Sequence, residues 1–242
     1  MSRPDPRRDH LVALWTAMAV TVLWSSSWIL IRVGLDDEAL GPVTFAGLRY
    51  GLASMVLVVT VVARRAHRAE VRRLDPRTVL RLGVLGLVVY TLTQGAQFVA
   101  IDNQPAATTS LVLSLTPLLV AVVGFRRLGE RAAPRQLVGA GLVVAGASIY
   151  FAGDLGATTL GLTAAAVGLI ANVSGATLGR GVNRAASTSP LIVTAVSMTA
   201  GALILVIAGL AIEGPPSVTL RAAVIIAWLA VVNTALAFTL WN

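Results

Sequence analysis

Along the chain, apolar stretches alternate with short polar ones, giving eight apolar runs at about residues 11–31, 42–63, 79–101, 106–125, 136–151, 160–178, 191–212 and 221–242. An apolar helix of about 20 residues is about 30 Å long, the thickness of a bilayer's hydrocarbon core. The apolar positions fill these runs rather than marking one stripe of a surface helix. The pattern therefore predicts an all-α polytopic membrane protein with about eight transmembrane helices, segments one to eight. Pro117 falls in the middle of segment four. It removes a backbone donor and predicts a kink, which membrane helices tolerate where a neighbour re-satisfies the freed carbonyl. Segment five is shorter, and its Gly139, Gly141, Ala145 and Gly146 predict a small-residue face for close helix contact.

Composition strengthens this reading. Residues are 56% hydrophobic and 12% charged, against about 25% charged in ordinary soluble domains. All 19 basic residues are Arg and the net charge is +8. Such a balance often marks a nucleic-acid binder, but here the arginines occupy short loops, so no nucleic-acid partner is expected. With residues 1–10 as a cytoplasmic tail, 16 of the 19 arginines lie on the cytoplasmic side. Arg32 and Arg221 lie outside, and Arg49 lies within segment two. That asymmetry predicts a multi-pass protein of the plasma or inner membrane with a cytoplasmic N-terminus. The first run is too long for a signal-peptide core and is read as a retained helix.

Charge placement also limits the chemistry. There is no cysteine, which excludes disulfides and thiolate sites. The acidic residues sit at segment ends or in loops, and His10 and His67 lie in cytoplasmic stretches. Serine, aspartyl or metal-dependent hydrolysis within the membrane would need bases, paired carboxylates or ligand clusters that no segment carries. The glycine-rich stretches lack the order of a phosphate loop. Neither an enzyme, a metal site nor a cofactor is expected. What remains is a neutral polar lining: Trp24, Ser25, Ser27 and Trp28 in segment one, Tyr90, Gln94 and Gln97 in segment three, Asn172 and Ser174 in segment six, and Asn233, Thr234 and Trp241 in segment eight. Amides beside aromatic faces suit small organic solutes with a polar group and an apolar body. The competing reading of each is an ordinary interhelical hydrogen bond. Arg49 is the one embedded charge, at a cost of about 3 kcal/mol at mid-bilayer. It either attracts an anionic solute or snorkels to helix-end carbonyls. Trp15 and Trp228 are read as packing or interface anchors.

Two internal likenesses point to a repeat. AVTVLWSSSWILIR (19–32) parallels AVGLIANVSGATLGR (166–180), and LVVYTLTQGAQFVAID (87–102) parallels LAVVNTALAFTLWN (229–242). Segments six to eight thus look like a second copy of segments one to three. Five helices separate the copies, an odd number, so the second is inverted. In segments four and five, an Ala/Thr/Ser-rich helix with Pro117 is followed by Leu128-Gly129-Glu130. Gly139, Gly141 and Gly146 then precede a helix ending in an aromatic. This order resembles the end of the first repeat of an EamA-type carrier of the drug/metabolite transporter superfamily. The resemblance implies a secondary transporter of two five-helix repeats that exports small metabolites, amino-acid-like compounds or drugs by alternating access. It places the first repeat at residues 11–152 and an incomplete second repeat of three helices at 160–242. Because the family pattern has ten helices, the chain is expected to be a fragment or truncated frame. A homodimer or a partner chain would then supply the missing helices, and a non-transporting membrane fragment is the alternative function. A channel is disfavoured, since no ring of charges or filter loop is present. Glu130, just before Pro134, is read as a structural carboxylate at the positive end of segment five, pairing with loop arginines.

Overall fold

The computed structural model describes residues 6–36, 40–128, 133–150, 152–153, 155–185 and 188–241, and its elements are all helical. Segment one is α1 (Pro6–Leu35) and segment two is α2 (Pro42–Ala63), which a short α3 (Arg65–Val71) follows. Segment three is a composite of α4 (Pro76–Gly86), a π-helical stretch at Leu87–Leu92 and α5 (Thr93–Asn103). Segment four splits into α6 (Ala106–Leu113) and α7 (Thr116–Leu128), and segment five is α8 (Pro134–Tyr150). Segments six and seven are α9 (Thr159–Ala185) and α10 (Pro190–Ile212). Segment eight repeats the composite form: α11 (Leu220–Ala230), a second π-helical stretch at Val231–Leu236, and α12 (Ala237–Trp241). Among the described residues, seven of the eight segments are long and apolar enough to cross a membrane. Segment five has 17 residues, about 25 Å at helical rise. Glu130 lies outside the described residues, as does the Trp241 side chain.

Local chemistry sets the boundaries. Proline opens α2, α4 and α10, where its fixed φ suits the first turn and its missing N–H costs nothing. Asp75 accepts a hydrogen bond from Thr78 N at the start of α4, and Thr219 accepts one from Ala222 N at the start of α11. That bond holds the exposed Asp75 carboxyl below its ordinary pKa. In segment four the kink expected from Pro117 is a full break. The Leu113 carbonyl, which the residue at 117 would have engaged, accepts from Thr116 Oγ1 at 2.6 Å instead.

The centre of the molecule is the antiparallel pair α2 and α10. A Cβ on Gly47 would lie 2.9 Å from Val206 N, and one on Gly209 would lie 2.5 Å from Thr44 Oγ1. The α4 backbone approaches α10 as closely: a Cβ on Gly201 would sit 2.4 Å from Gly86 O. Around these contacts Phe45, Leu57, Phe98, Met198, Leu205 and Leu229 are fully buried. Segment three packs on segment six and segment one on segment eight, while three and eight flank the central pair.

The central pair is also tied at both ends. The Glu213 carboxylate, just past α10, accepts from Val43 N and Thr44 N at 2.8 Å each. Glu70 in α3, beyond the opposite end of α2, accepts from the backbone N–H of Ser189, the N-cap of α10. Each helix thus has backbone N–H groups at its start, two in the first turn of α2 and that of the N-cap of α10, met by a carboxylate lying just beyond the end of its partner.

One expectation fails. A Cβ added at Gly139, Gly141 or Gly146 would meet nothing, and no residue of α8 is buried. The helix lies at the bundle's edge, touching α6 and α7, so its small residues have no backbone to approach. Close contact is made by Gly47, Gly86, Gly201 and Gly209 instead.

This contrast is testable in detergent-purified protein. Gly201→Leu must push α4 away from α10 and should lower stability by about 1–3 kcal/mol, read as a fall in Tm. Gly141→Leu should leave Tm unchanged. Equal effects of the two would show that the packing is misplaced.

Candidate functional site

The polar residues of segment one lie one helical turn apart. Trp24, Ser27, Trp28 and Ile31 have spacings of three and four residues, so they share one face of α1. Tyr90, Gln94 and Gln97 do the same on segment three. These faces meet in a cavity of about 290 Å³ lined by Trp24, Ser27, Trp28, Ile31, Arg49, Tyr50, Val89, Gln94, Gln97, Asn172, Asn233 and Phe238. Its size lies at the small end for small-molecule sites.

Arg49 is buried in the wall, with 4% of its surface exposed. It does not snorkel. Its Nε donates to Thr234 Oγ1 at 3.1 Å and one Nη to Ser27 Oγ at 3.5 Å. The guanidinium carbon lies 5.0 Å from the Tyr50 ring centre and 5.9 Å from that of Phe98, within cation–π range. No carboxylate pairs with it among the described residues. Five N–H donors against these two hydroxyl partners leave capacity for an anionic ligand. The charge is oriented and desolvated but not neutralised.

The π-helical stretches place the neighbouring groups. At each, a threonine hydroxyl donates to the carbonyl five residues earlier: Thr93, just past the first stretch, to Val88 O and Thr234, within the second, to Leu229 O, both at 2.8 Å. The Val88 carbonyl also accepts the backbone N–H of Thr93, and π-bulges of this kind often occur at functional sites. Thr234 thereby serves two partners, its own backbone and Arg49. Asn233 is buried and donates to Leu23 O and to Ser26 Oγ at 2.8 Å, joining segment eight to segment one. Its Oδ1 is buried and makes no hydrogen bond. Asn172 donates to Thr116 Oγ1 at 3.3 Å, which links the cavity wall to the break in segment four.

A chain of rings runs along one end. Ring centres lie 5.7 Å apart for Trp24 and Phe238, 6.2 Å for Phe238 and Tyr90, and 5.6 Å for Tyr90 and Tyr50. Segments one and three run away from the side of the N-terminus, and segments two and eight run toward it. Trp24 precedes Ser27, Trp28 and Ile31, and Tyr90 precedes Gln94 and Gln97, whereas Tyr50 and Phe238 follow Arg49 and Asn233. All four rings therefore lie on the N-terminal side of the cavity.

Of the residues singled out from sequence, Trp24, Ser27, Trp28, Arg49, Gln94, Gln97, Asn172 and Asn233 converge here. Tyr90, expected in the lining, is not among the lining residues; its buried ring packs against those of Tyr50 and Phe238, and Thr234 holds Arg49 from behind. Ser25 faces a neighbouring cavity. Ser174 donates to Ile170 O of its own helix, leaving no reason to assign it to the lining. Trp15 and Trp228, 65% and 54% exposed, face outward and are not packing residues. Ile31, Tyr50, Val89 and Phe238 went unrecognised in the sequence. The repeated Val-Val-Tyr-Thr (88–91) and Val-Val-Asn-Thr (231–234) was the available signal for the two π-helical stretches.

A buried ion without a counter-ion is kept at a cost to stability. Arg49→Met should therefore leave Tm unchanged or raise it. Thr234→Val, which strips the charge of a partner, should cost about 1–3 kcal/mol. The double variant should recover most of that loss. A large fall in Tm for Arg49→Met alone would make Arg49 a structural residue.

The sequence signature of the EamA-like transporter family matches residues 11–152. A probable terminal-alkyne amino-acid exporter of Streptantibioticus cattleyicolor is 26% identical over 57% of this chain and 44% of its own length. An uncharacterized transporter of Archaeoglobus fulgidus is 34% identical over 53% of this chain and 42% of its own. A probable amino-acid metabolite efflux pump of Escherichia coli is 29% identical over 62% and 44%. The chain thus matches under half the length of these curated relatives. A crystal structure superposes with a TM-score of 0.72 over 95% of this chain and 77% of the other, at 21% identity, a likeness of fold alone.

Proposed function

Because the chain belongs to the EamA-like transporter family, we propose that it carries small amino-acid-like solutes out of the cell through the cavity around Arg49. The observation that carries this reading is the buried guanidinium with no carboxylate partner among the described residues. A solute carboxylate would supply the missing charge, with the fork geometry of arginine suited to binding it through two oxygens. Gln94, Gln97 and the unpaired Oδ1 of Asn233 would meet the solute's amino and other polar groups. Trp24, Trp28 and Phe238 would pack its apolar body. Two of the matched relatives carry names of amino-acid or amino-acid-metabolite exporters, which supports the solute class.

Residues 11–152 and 160–242 form, on this reading, two inverted repeats, the second with three helices. Support comes from the pairing of segment two with seven, three with six and one with eight, and from the matching π-helical stretches. Alternating access would rock the helices around the cavity. Among the described residues no Asp, Glu or His lines the cavity, so transport is proposed to follow the solute gradient without obligatory proton movement. The arginine asymmetry supports a cytoplasmic N-terminus.

Reconstitution in liposomes tests the solute reading, with labelled zwitterionic amino acids as the probe. Arg49→Gln should reduce flux about tenfold or more, and Trp24→Ala and Gln94→Ala should also reduce it at normal membrane insertion. Amines lacking a carboxylate should not compete. Full flux in Arg49→Gln, or uphill accumulation driven by an imposed pH gradient alone, would refute the proposal. For orientation, reporter fusions near Arg68 should signal a cytoplasmic location and fusions near Gly156 an external one. The reverse pattern would invert the topology.

A further inference from the structure

A second cavity, of about 560 Å³, lies between α1 and α6 and is lined by Ser25, Trp28, Arg32, Ala107, Ser110 and Tyr150 among others. Trp28 lines both this space and the central cavity. Its indole is half-buried, standing between the two. The ring chain lies toward the N-terminal side of the central cavity, whereas Trp28 lies on the side facing the second cavity. Arg32 follows Trp28 by four residues, one turn further from the ring chain on the same face of α1. Its guanidinium is held in place from behind: Nη1 donates to Ile101 O at 2.8 Å and to Asp102 O at 3.4 Å, and Nε lies 3.4 Å from Asp36.

We propose that this outer cavity is an antechamber of the solute path, with Trp28 as the partition and Arg32 as a second, weaker site for the solute's carboxylate. The inference rests on the reading of the central cavity as the solute site and adds a step to it. The two arginines differ in the way a path of release requires. Arg49 is desolvated and unpaired, so it holds an anion strongly. Arg32 has a side chain about half exposed and shares its charge with Asp36, so water and the nearby carboxylate weaken its hold. A carboxylate passing from Arg49 to Arg32 would move from a strong site to a weak one, and conduction needs a site that both attracts and lets go. Trp28 would separate the two by a change of side-chain rotamer, with no helix displaced.

The chain has no native cysteine, so single cysteines report cleanly. Ala107→Cys would mark the antechamber and Gln97→Cys the central cavity. The purified full chain in detergent is treated with an anionic methanethiosulfonate, the ethylsulfonate, or a cationic one, the ethylammonium. Ala107→Cys should react readily and about fivefold faster with the anion, and Arg32→Gln should remove that preference. Gln97→Cys should react about tenfold more slowly than Ala107→Cys. Adding Trp28→Ala should bring it close to the Ala107→Cys rate, with Trp28→Phe between, provided each variant elutes as a monodisperse species. Equal rates at the two positions with Trp28 present, or no acceleration in either Trp28 variant, would overturn the partition. An anion preference that survives Arg32→Gln would overturn the second site. The readout is thiol chemistry rather than flux, so it can fail while the Arg49 flux result stands, and the reverse also holds.

Discussion

A guanidinium held within a helix bundle must find partners there, because lipid offers none. Arg49 finds two hydroxyls and two aromatic faces. One hydroxyl belongs to segment one and the other to segment eight. Thr234 is in position because the helix there opens into a π turn, and its hydroxyl also satisfies the Leu229 carbonyl. The arrangement of three segments around the cavity thus follows from solvating one charge without neutralising it.

The second constraint is steric. Segments two, three and seven meet backbone to backbone, at glycines whose α-hydrogens face a carbonyl, an amide or a threonine. In lipid the hydrophobic effect does not drive helices together, and dispersion between close backbones takes its place. This contact holds the wall that carries Arg49 and the wall that carries Gln94 and Gln97 against a common support. Segment five, without such contacts, lies at the margin. Its glycines resembled those of the centre in sequence and differ only in what lies opposite them.

Much of the architecture was legible because bilayer thickness imposes a length, and that length can be counted along the chain. Most of the cavity was legible for a related reason. Polar residues inside apolar segments are costly, so Trp24 to Trp28, Gln94, Gln97, Asn172 and Asn233 stood out. Tyr50 and Phe238 did not, because an aromatic in an apolar helix is ordinary until its neighbours are known. The π turns were hidden because a change in helix pitch leaves composition untouched. Segment four showed its irregularity through Pro117, but not that Thr116 would satisfy the freed carbonyl and Asn172 would bind the same hydroxyl.

The carboxylates of Glu213 and Glu70 carry a mechanical consequence. Each fixes the beginning of one central helix to the stretch just past the end of the other, at opposite ends of the pair. Sliding the pair by one helical turn, about 5.4 Å, would unfasten both clasps at once and drag interlocked glycines past each other. Such a pair behaves as an axle: it resists travel along its length and tolerates a small tilt of the helices mounted on it. Any stroke of this protein would then be a swing of segments one, three, six and eight about that axle, and its amplitude would be bounded by how far Arg49 can move before it loses Ser27 on one side or Thr234 on the other.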